Sequence, residues 1–299
     1  MALVDDEHSG ANLAHWEAMA RFHGTGDDSY YDLDLLRSGG TLLGDEELDA
    51  IKRATHGDGL EGRDVLHLQC HIGCDSISMA RMGATVTAVD FSRSALDRLD
   101  ELARQCGVDI TTVEADAVAL PGSLSARFDV VYSSIGVLCW ISDIDAWMGG
   151  VARVLRPGGK LVLVELHPLV TMVESLDPLI VDFPYRFDGP RVYSGTGSYA
   201  NRGADIEWTT VQYAHSVGEV VTAAVRAGLT CTYLEEHTSG TFNTGQFLGP
   251  EDDDRYRLRL GAGAERDGRR EPPCPMPVLF TFIGEKLDAA SGIADAERS

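Results

Sequence analysis

Two rhythms of apolar and polar positions alternate along this chain. Short, β-branched or apolar runs at residues 65–68, 85–89, 110–114, 128–133, 160–166, 229–236 and 278–283 have the length and composition of strands. Between them, apolar residues recur at helical spacing: Ile77, Met79, Ala80 and Met82; Leu96, Leu99 and Leu102; Ile144, Trp147, Val151, Val154 and Leu155. Gly83, Gly107 and the pair Gly158-Gly159 stand where helices or turns should stop. Strand and helix alternating in this way predict an α/β domain with a largely parallel sheet. Near the start, Asn12 can cap a helix carrying Leu13, Trp16, Met19 and Ala20, and residues 46–54 predict another. Residues 211–227 read as a later helix, stopped by Gly228.

The stretch from Asp64 to Ser92, DVLHLQCHIGCDSISMARMGATVTAVDFS, organises the rest. It reads as strand, turn, helix, strand, with Asp75 or Ser76 as the helix cap and Asp90 at the carboxyl end of the second strand. That is the opening βαβ unit of a nucleoside-binding sheet, whose ligands lie across the carboxyl ends of the strands. There a carboxylate such as Asp90 can accept two hydrogen bonds from ribose hydroxyls. The turn is poor in glycine, however: Gln69 and His71 stand at two of the three positions, and only Gly73 fills its place. A pyrophosphate would be badly served by that loop, which disfavours a nicotinamide-dependent oxidoreductase. A ligand with a single carboxylate demands less of it.

Composition narrows the partners. A chain of 299 residues is one large α/β domain or two small ones, and its formal charge of −22 repels nucleic acid and anionic membrane surfaces. No signal-peptide core or membrane-length apolar run occurs, so a cytoplasmic location is expected. Six scattered cysteines read as reduced thiols. His67, Cys70, His71 and Cys74 have a spacing that suggests a metal site on a helix. On a strand running into a turn their side chains diverge, so no metal is expected.

The stretch 64–92 resembles motif I and its sequel in class I S-adenosylmethionine methyltransferases, with His67 at the position usually held by an acidic residue. VEADAVALP (113–121), FDVVYSSIGVLCWISDI (128–144) and VARVLRPGGKLVLVELHP (151–168) resemble the motifs that follow, in order. The resemblance runs from about residue 12 to residue 167, is closest to bacterial small-molecule enzymes of natural-product type, and is looser beyond. It implies a Rossmann-like seven-stranded sheet, the last strand antiparallel between the fifth and sixth, flanked by helices. It implies S-adenosylmethionine as cofactor, S-adenosylhomocysteine as product, and methyl transfer to an O, N or C nucleophile of a small molecule. A cofactor-binding protein without methyl transfer, a regulator or a cyclase, is the alternative.

By the same resemblance the cofactor would be held by Gln69, Cys70, His71, Gly73, Asp75 and Ser76 in the turn, and by Asp90, Phe91 and Ser92 after the second strand. Ala115, Asp116 and Ala117 would face the adenine, and Ser133, Ser134 and Ile135 would follow the fourth strand. If the reaction needs a base, the candidates are His167 and His215, with Glu165 and Tyr31 behind them. Residues 1–55 are expected to form a helical cap, 56–167 the cofactor-binding core, 168–210 an insertion covering the substrate, 211–286 the remainder of the core with a second irregular segment, and 287–299 a polar tail. Tyr30, Tyr31, Tyr185, Tyr193, Tyr199 and Trp208 lie in the covering segments and suit an acceptor pocket. The sequence leaves open a homodimer.

Overall fold

The computed structural model describes residues 7–25, 30–176, 179–186, 189–241, 255–260, 265–266, 269–270 and 274–287. Residues 1–6 of the expected cap, and the polar tail almost wholly, fall outside the described residues. The core is a seven-stranded sheet. In chain order its strands are β1 (Asp64–Leu68), β2 (Thr85–Asp90), β3 (Ile110–Glu114), β4 (Phe128–Ser133) and β5 (Leu155–Leu166). Two more, Leu229–His237 and Leu279–Lys286, complete it beyond β5. The strands β3, β2, β1, β4 and β5 are parallel neighbours in that order. Leu279–Lys286 then pairs antiparallel with both β5 and Leu229–His237, as the sequence leads one to expect.

Helices cover both faces. Before the sheet come α1 (Glu7–Phe22), α2 (Leu33–Arg37) and α3 (Asp45–Ala54). Within it come α4 (Cys74–Arg81), α5 (Arg93–Cys106) and α6 (Ile144–Val154). One apolar cluster joins Leu66, Leu68 and Val131 to Trp147, Val151 and Val154 of α6. Another joins Ile77 of α4 to Leu96, Leu99 and Leu102 of α5. Val65, Val86 and Tyr132 close the core against Ile51 of α3. Burying these side chains on both sheet faces holds the strand ends in register, which is what fixes the turns that project from them.

Between β5 and Leu229–His237 the chain forms a small helix, α7 (Pro168–Thr171), and two antiparallel ribbons. The first pairs Val173–Leu176 with Leu179–Val181, and the second pairs Arg191–Thr196 with Glu207–Gln212. The C-terminal helix α8 (Val217–Arg226) opens on a capping box between Ser216 and Glu219.

Three local expectations are corrected. Asn12 lies inside α1 rather than at its cap: its amide donates to the Val211 carbonyl and accepts from the Val211 N–H, both at 2.8 Å, so it docks the helix on the second ribbon. Helix α4 is opened not by Asp75 or Ser76 but by Gly73 at φ 72°, where an added Cβ would sit 2.2 Å from Leu99 Cδ1. Residues 211 and 212 belong to a strand, and the helix begins only after Ser216.

Candidate active site

The site is built where β1, β2, β3 and β4 end. After β1 the backbone turns through Gln69 (φ 55°), His71 (φ 48°) and Gly73 (φ 72°), so two side-chain-bearing residues adopt a conformation that glycine takes freely. Such strain persists only where surrounding contacts enforce it. The Gln69 amide is clamped between Trp147 Nε1, at 3.2 Å, and the Val137 carbonyl, at 3.1 Å. The His71 N–H donates to Asp90 Oδ2 at 2.8 Å, which ties the turn to the end of β2.

Asp90 is 7% exposed, and its Oδ1 accepts from the Ser92 N–H at 2.9 Å. Burial pushes its carboxyl up to about 6, against the lowering effect of backbone N–H groups from Ser92, His71 and Phe91. Ser92 itself caps α5 and donates its hydroxyl to Glu17 of α1. After β3, the Ala115 N–H bonds the Asp90 carbonyl, and Asp116 accepts from the Val118 N–H at 3.0 Å. Ala117 is buried in the core beside the same loop.

The fourth strand contributes Ser133, whose buried hydroxyl has no partner among the described residues. Ser134 bonds Asp75, whose carboxyl is raised well above its usual range by burial and then by nearby Glu47. Ile135 is half-buried against the core. Cys70 is buried, its thiol pushed well up by burial. Ser76 turns inward, its hydroxyl 2.7 Å from His67 Nδ1, so it faces the interior rather than the strand ends.

The four base candidates do not come together. His167 accepts from the Leu169 N–H on Nδ1, so its Nε2 carries the proton and donates to Glu236 Oε1 at 2.7 Å. Both nitrogens are occupied in holding α7. His215 donates from Nε2 to the Ile141 carbonyl at 2.7 Å. Glu165 accepts from the N–H groups of Gly136, Val137, Leu138 and Leu166, between 2.6 and 2.9 Å. Its carboxylate therefore shapes the loop after β4. Burial raises the Glu165 carboxyl, opposed by those same N–H groups. Only Tyr31 reaches the mouth of the site, where its hydroxyl meets that of Tyr199.

What the sequence reading missed is His23, just beyond α1. It is fully buried and lies between His71 Nε2, 2.8 Å from its Nδ1, and Ser198 Oγ, 2.6 Å from its Nε2. Around this pair rings pack edge to face: Trp16 on His71 with centroids 5.0 Å apart, Trp16 on Trp140 at 5.2 Å, and Tyr199 on His23 at 4.6 Å. Trp208 joins through His15 at 5.6 Å, whereas Tyr185 is exposed and Tyr193 packs on Phe183. No local signal marks His23, because only the docking of α1 against the ribbon brings it to the turn. The suspected metal spacing disperses here: His67 bonds Ser76 and packs on Tyr132, while His71 faces His23. Among the described residues no group of His, Cys, Asp and Glu converges as a metal site.

A family model for a methyltransferase domain matches residues 65–159. Those residues form a class I methyltransferase domain. The match begins on β1 and ends in the turn that runs into the body of β5, so it covers the whole constellation of strand ends. The chain is 37% identical over 128 residues to a cypemycin N-terminal methyltransferase of a Streptomyces species, covering 42% of this chain and 51% of that one. It is 32% identical over 109 residues to a ubiquinone biosynthesis O-methyltransferase of Alkalilimnicola ehrlichii, covering 36% and 44%. The chain thus spans about half the length of the relatives it matches.

Its fold is shared with an S-adenosylmethionine-dependent methyltransferase of Clostridium acetobutylicum, at 13% identity and a TM-score of 0.54 over 94% of this chain and 100% of that one. A protein solved in work on the conversion of a disulfide bond into a thioacetal group during echinomycin biosynthesis superposes with a TM-score of 0.55. It is 15% identical and covers 96% and 97% of the two chains.

The methyltransferase domain implies S-adenosylmethionine as its cofactor, and the residues present fit it. The left-handed backbone at Gln69, His71 and Gly73 reproduces the turn that glycines usually supply. Asp90 ends β2 with lone-pair capacity beyond the N–H groups of His71, Ser92 and Phe91 that it accepts. The unpartnered, buried Ser133 hydroxyl offers a polar atom that a ligand could satisfy.

Proposed function

We propose that the chain is an S-adenosylmethionine-dependent methyltransferase acting on an O, N or C nucleophile of a small molecule, in natural-product metabolism. The observation that carries this reading is the pairing of a glycine-like turn after β1 with the buried Asp90 after β2, joined through the His71 N–H. Asp90 would hold the ribose hydroxyls, Asp116 the adenine amino group, and the turn 69–73 the amino-acid end. Supporting the small-molecule assignment, the mouth is lined by aromatic rings and the formal charge of −22 disfavours polyanionic acceptors. Among the described residues no helix is long and apolar enough to cross a membrane.

When bound, the cofactor supplies an electrophilic methyl group on a sulfonium, so the protein's work is alignment and exclusion of water. Helix α1 and the ribbon Arg191–Thr196/Glu207–Gln212 carry that work: Asn12 locks one to the other, and Trp16, Trp140 and Tyr199 close over the turn. The test is incubation with S-adenosylmethionine and a panel of small phenols, amines and carbon acids, read by mass spectrometry for a gain of one methyl group. Calorimetry with S-adenosylhomocysteine runs in parallel. Absence of S-adenosylhomocysteine binding would refute the reading.

A further inference from the structure

The cofactor reading leaves the buried imidazole pair without a task. Three segments far apart in sequence meet at it: His23 beyond α1, His71 in the turn after β1, and Ser198 with Tyr199 at the tip of the second ribbon. Of the two nitrogens that face each other, His71 Nε2 and His23 Nδ1, one must carry a proton and the other accept it. If the proton sits on His71, then His23 carries its own proton on Nε2 and donates to Ser198 Oγ, while His71 Nδ1 is a bare lone pair. The opposite tautomer leaves a buried N–H on His71 Nδ1 with no acceptor among the described residues. Orphaned buried N–H groups are rarer in proteins than under-used acceptors. The Tyr199 hydroxyl, 3.2 Å from His23 Nδ1, can also donate to that nitrogen, which agrees with the first arrangement.

We propose that His71 is the general base of methyl transfer, its Nδ1 lone pair taking the proton of the acceptor, with His23 as the positioning residue that fixes the tautomer and shares the charge. The proposal rests on the methyltransferase reading. The backbone N–H of His71 ties the turn to Asp90, and its imidazole packs against Trp16 and His23 above that turn. Trp16 packs edge to face on the His71 ring and Tyr199 packs on Trp16, so these rings cover the imidazole that the acceptor would have to reach.

In the step, the acceptor's lone pair forms a bond to the methyl carbon and the carbon–sulfur bond breaks, its electron pair going to sulfur. The acceptor's proton passes to His71 Nδ1. The resulting positive charge is shared with His23 through the Nε2 hydrogen bond and leaves with proton release to solvent.

The titratable groups facing His71 are His15 and His23 from the α1 segment, Tyr31 before α2, and Asp90 through the backbone N–H, while Tyr199 from the ribbon faces His23. Burial, then His23 and His15, hold the imidazole well below its usual pKa, so it is a free base at neutral pH. Arg98, near Gly24, is paired with Glu101 and does not supply a competing charge to the ring.

His71→Gly is the informative variant, since glycine adopts the left-handed backbone of residue 71 without strain and keeps the N–H on Asp90. Expected is S-adenosylhomocysteine affinity within about threefold of wild type by calorimetry, a difference well below one decade. With S-adenosylmethionine and the phenol or amine probes, turnover should fall by about a hundredfold to ten-thousandfold. Added imidazole should restore part of it. His23→Asn should move the acid limb of the pH–rate profile, which a purely structural role would leave in place.

Nitrogen-15 spectra of the imidazoles, read whether or not a probe accepts a methyl, should show His71 Nδ1 unprotonated at neutral pH. A protonated Nδ1, or His71→Gly turnover within a few-fold of wild type across the pH range, would overturn the proposal. Failure of the wild type to bind S-adenosylhomocysteine would instead overturn the reading beneath it.

Discussion

Replacing Asp90 by asparagine tests the site with least disturbance, because the two side chains have the same shape. In the wild type Oδ2 accepts from His71 and Oδ1 from Ser92, and ribose hydroxyls would donate to the remaining lone pairs. Asparagine keeps one acceptor oxygen but turns an NH2 toward the other backbone N–H. Losing hydrogen bonds to a charged acceptor costs about 1.5–3 kcal/mol, or about ten- to a hundredfold in affinity for S-adenosylhomocysteine.

Asp90 also gives a pH signature. Its folded pKa of about 6 lies above the usual carboxyl value because burial disfavours the charge. Its contribution to stability is therefore fully present below the unfolded pKa and is lost as pH rises through about 6. With a shift of about two units, that loss is about 3 kcal/mol. Ligand binding runs the other way. Ribose hydroxyls donate to the ionised carboxylate, so affinity should rise with pH through about 6 and level off above it, by up to about tenfold per unit. Calorimetry across this range should show the step in wild type and its absence in Asp90→Asn. Unchanged affinity in the variant, or a flat wild-type profile, would refute the assignment.

Asn12→Ala should leave the Val211 N–H and carbonyl without their partners in a buried place, costing about 1–3 kcal/mol for each, and should speed hydrogen exchange in α1. Gly73→Ala meets both a left-handed backbone and the Leu99 side chain, so chemical denaturation should show a loss of at least about 1–3 kcal/mol. Replacing residues 186–203 by a short Gly/Ser linker removes Ser198 and Tyr199 from His23. Affinity for S-adenosylhomocysteine should fall by less than about tenfold while turnover collapses. Exhaustive chelation should leave turnover intact, since His67 and His71 bond in different directions. Loss on chelation with recovery on adding zinc or magnesium would contradict this.

The sheet was legible because its signals are local. Apolar runs of strand length, glycines at 83 and 107, and Asp143 before a helical apolar stripe each report a residue's preference over a few neighbours. A buried parallel sheet leaves few ways to assemble such pieces. Asp90 could be located for the same reason, since the end of a strand is itself a local feature. The motif turn was also placed correctly, though nothing in the letters showed that Gln69 and His71 would accept left-handed backbone.

Side-chain direction was not legible. His167, Glu165 and His215 sit at strand and loop ends where a base could stand, yet tertiary contacts commit each of them to Glu236, to four backbone N–H groups and to a carbonyl. Asn12 reads as a helix cap by type, but its partner lies 199 residues away. His23 shows no periodicity or motif and becomes part of the site only because Asn12 docks α1 on the ribbon, bringing Ser198 and Tyr199 against it. Local pattern determines which elements form. Which polar atoms are left to do chemistry is decided by contacts between segments that the sequence does not place side by side.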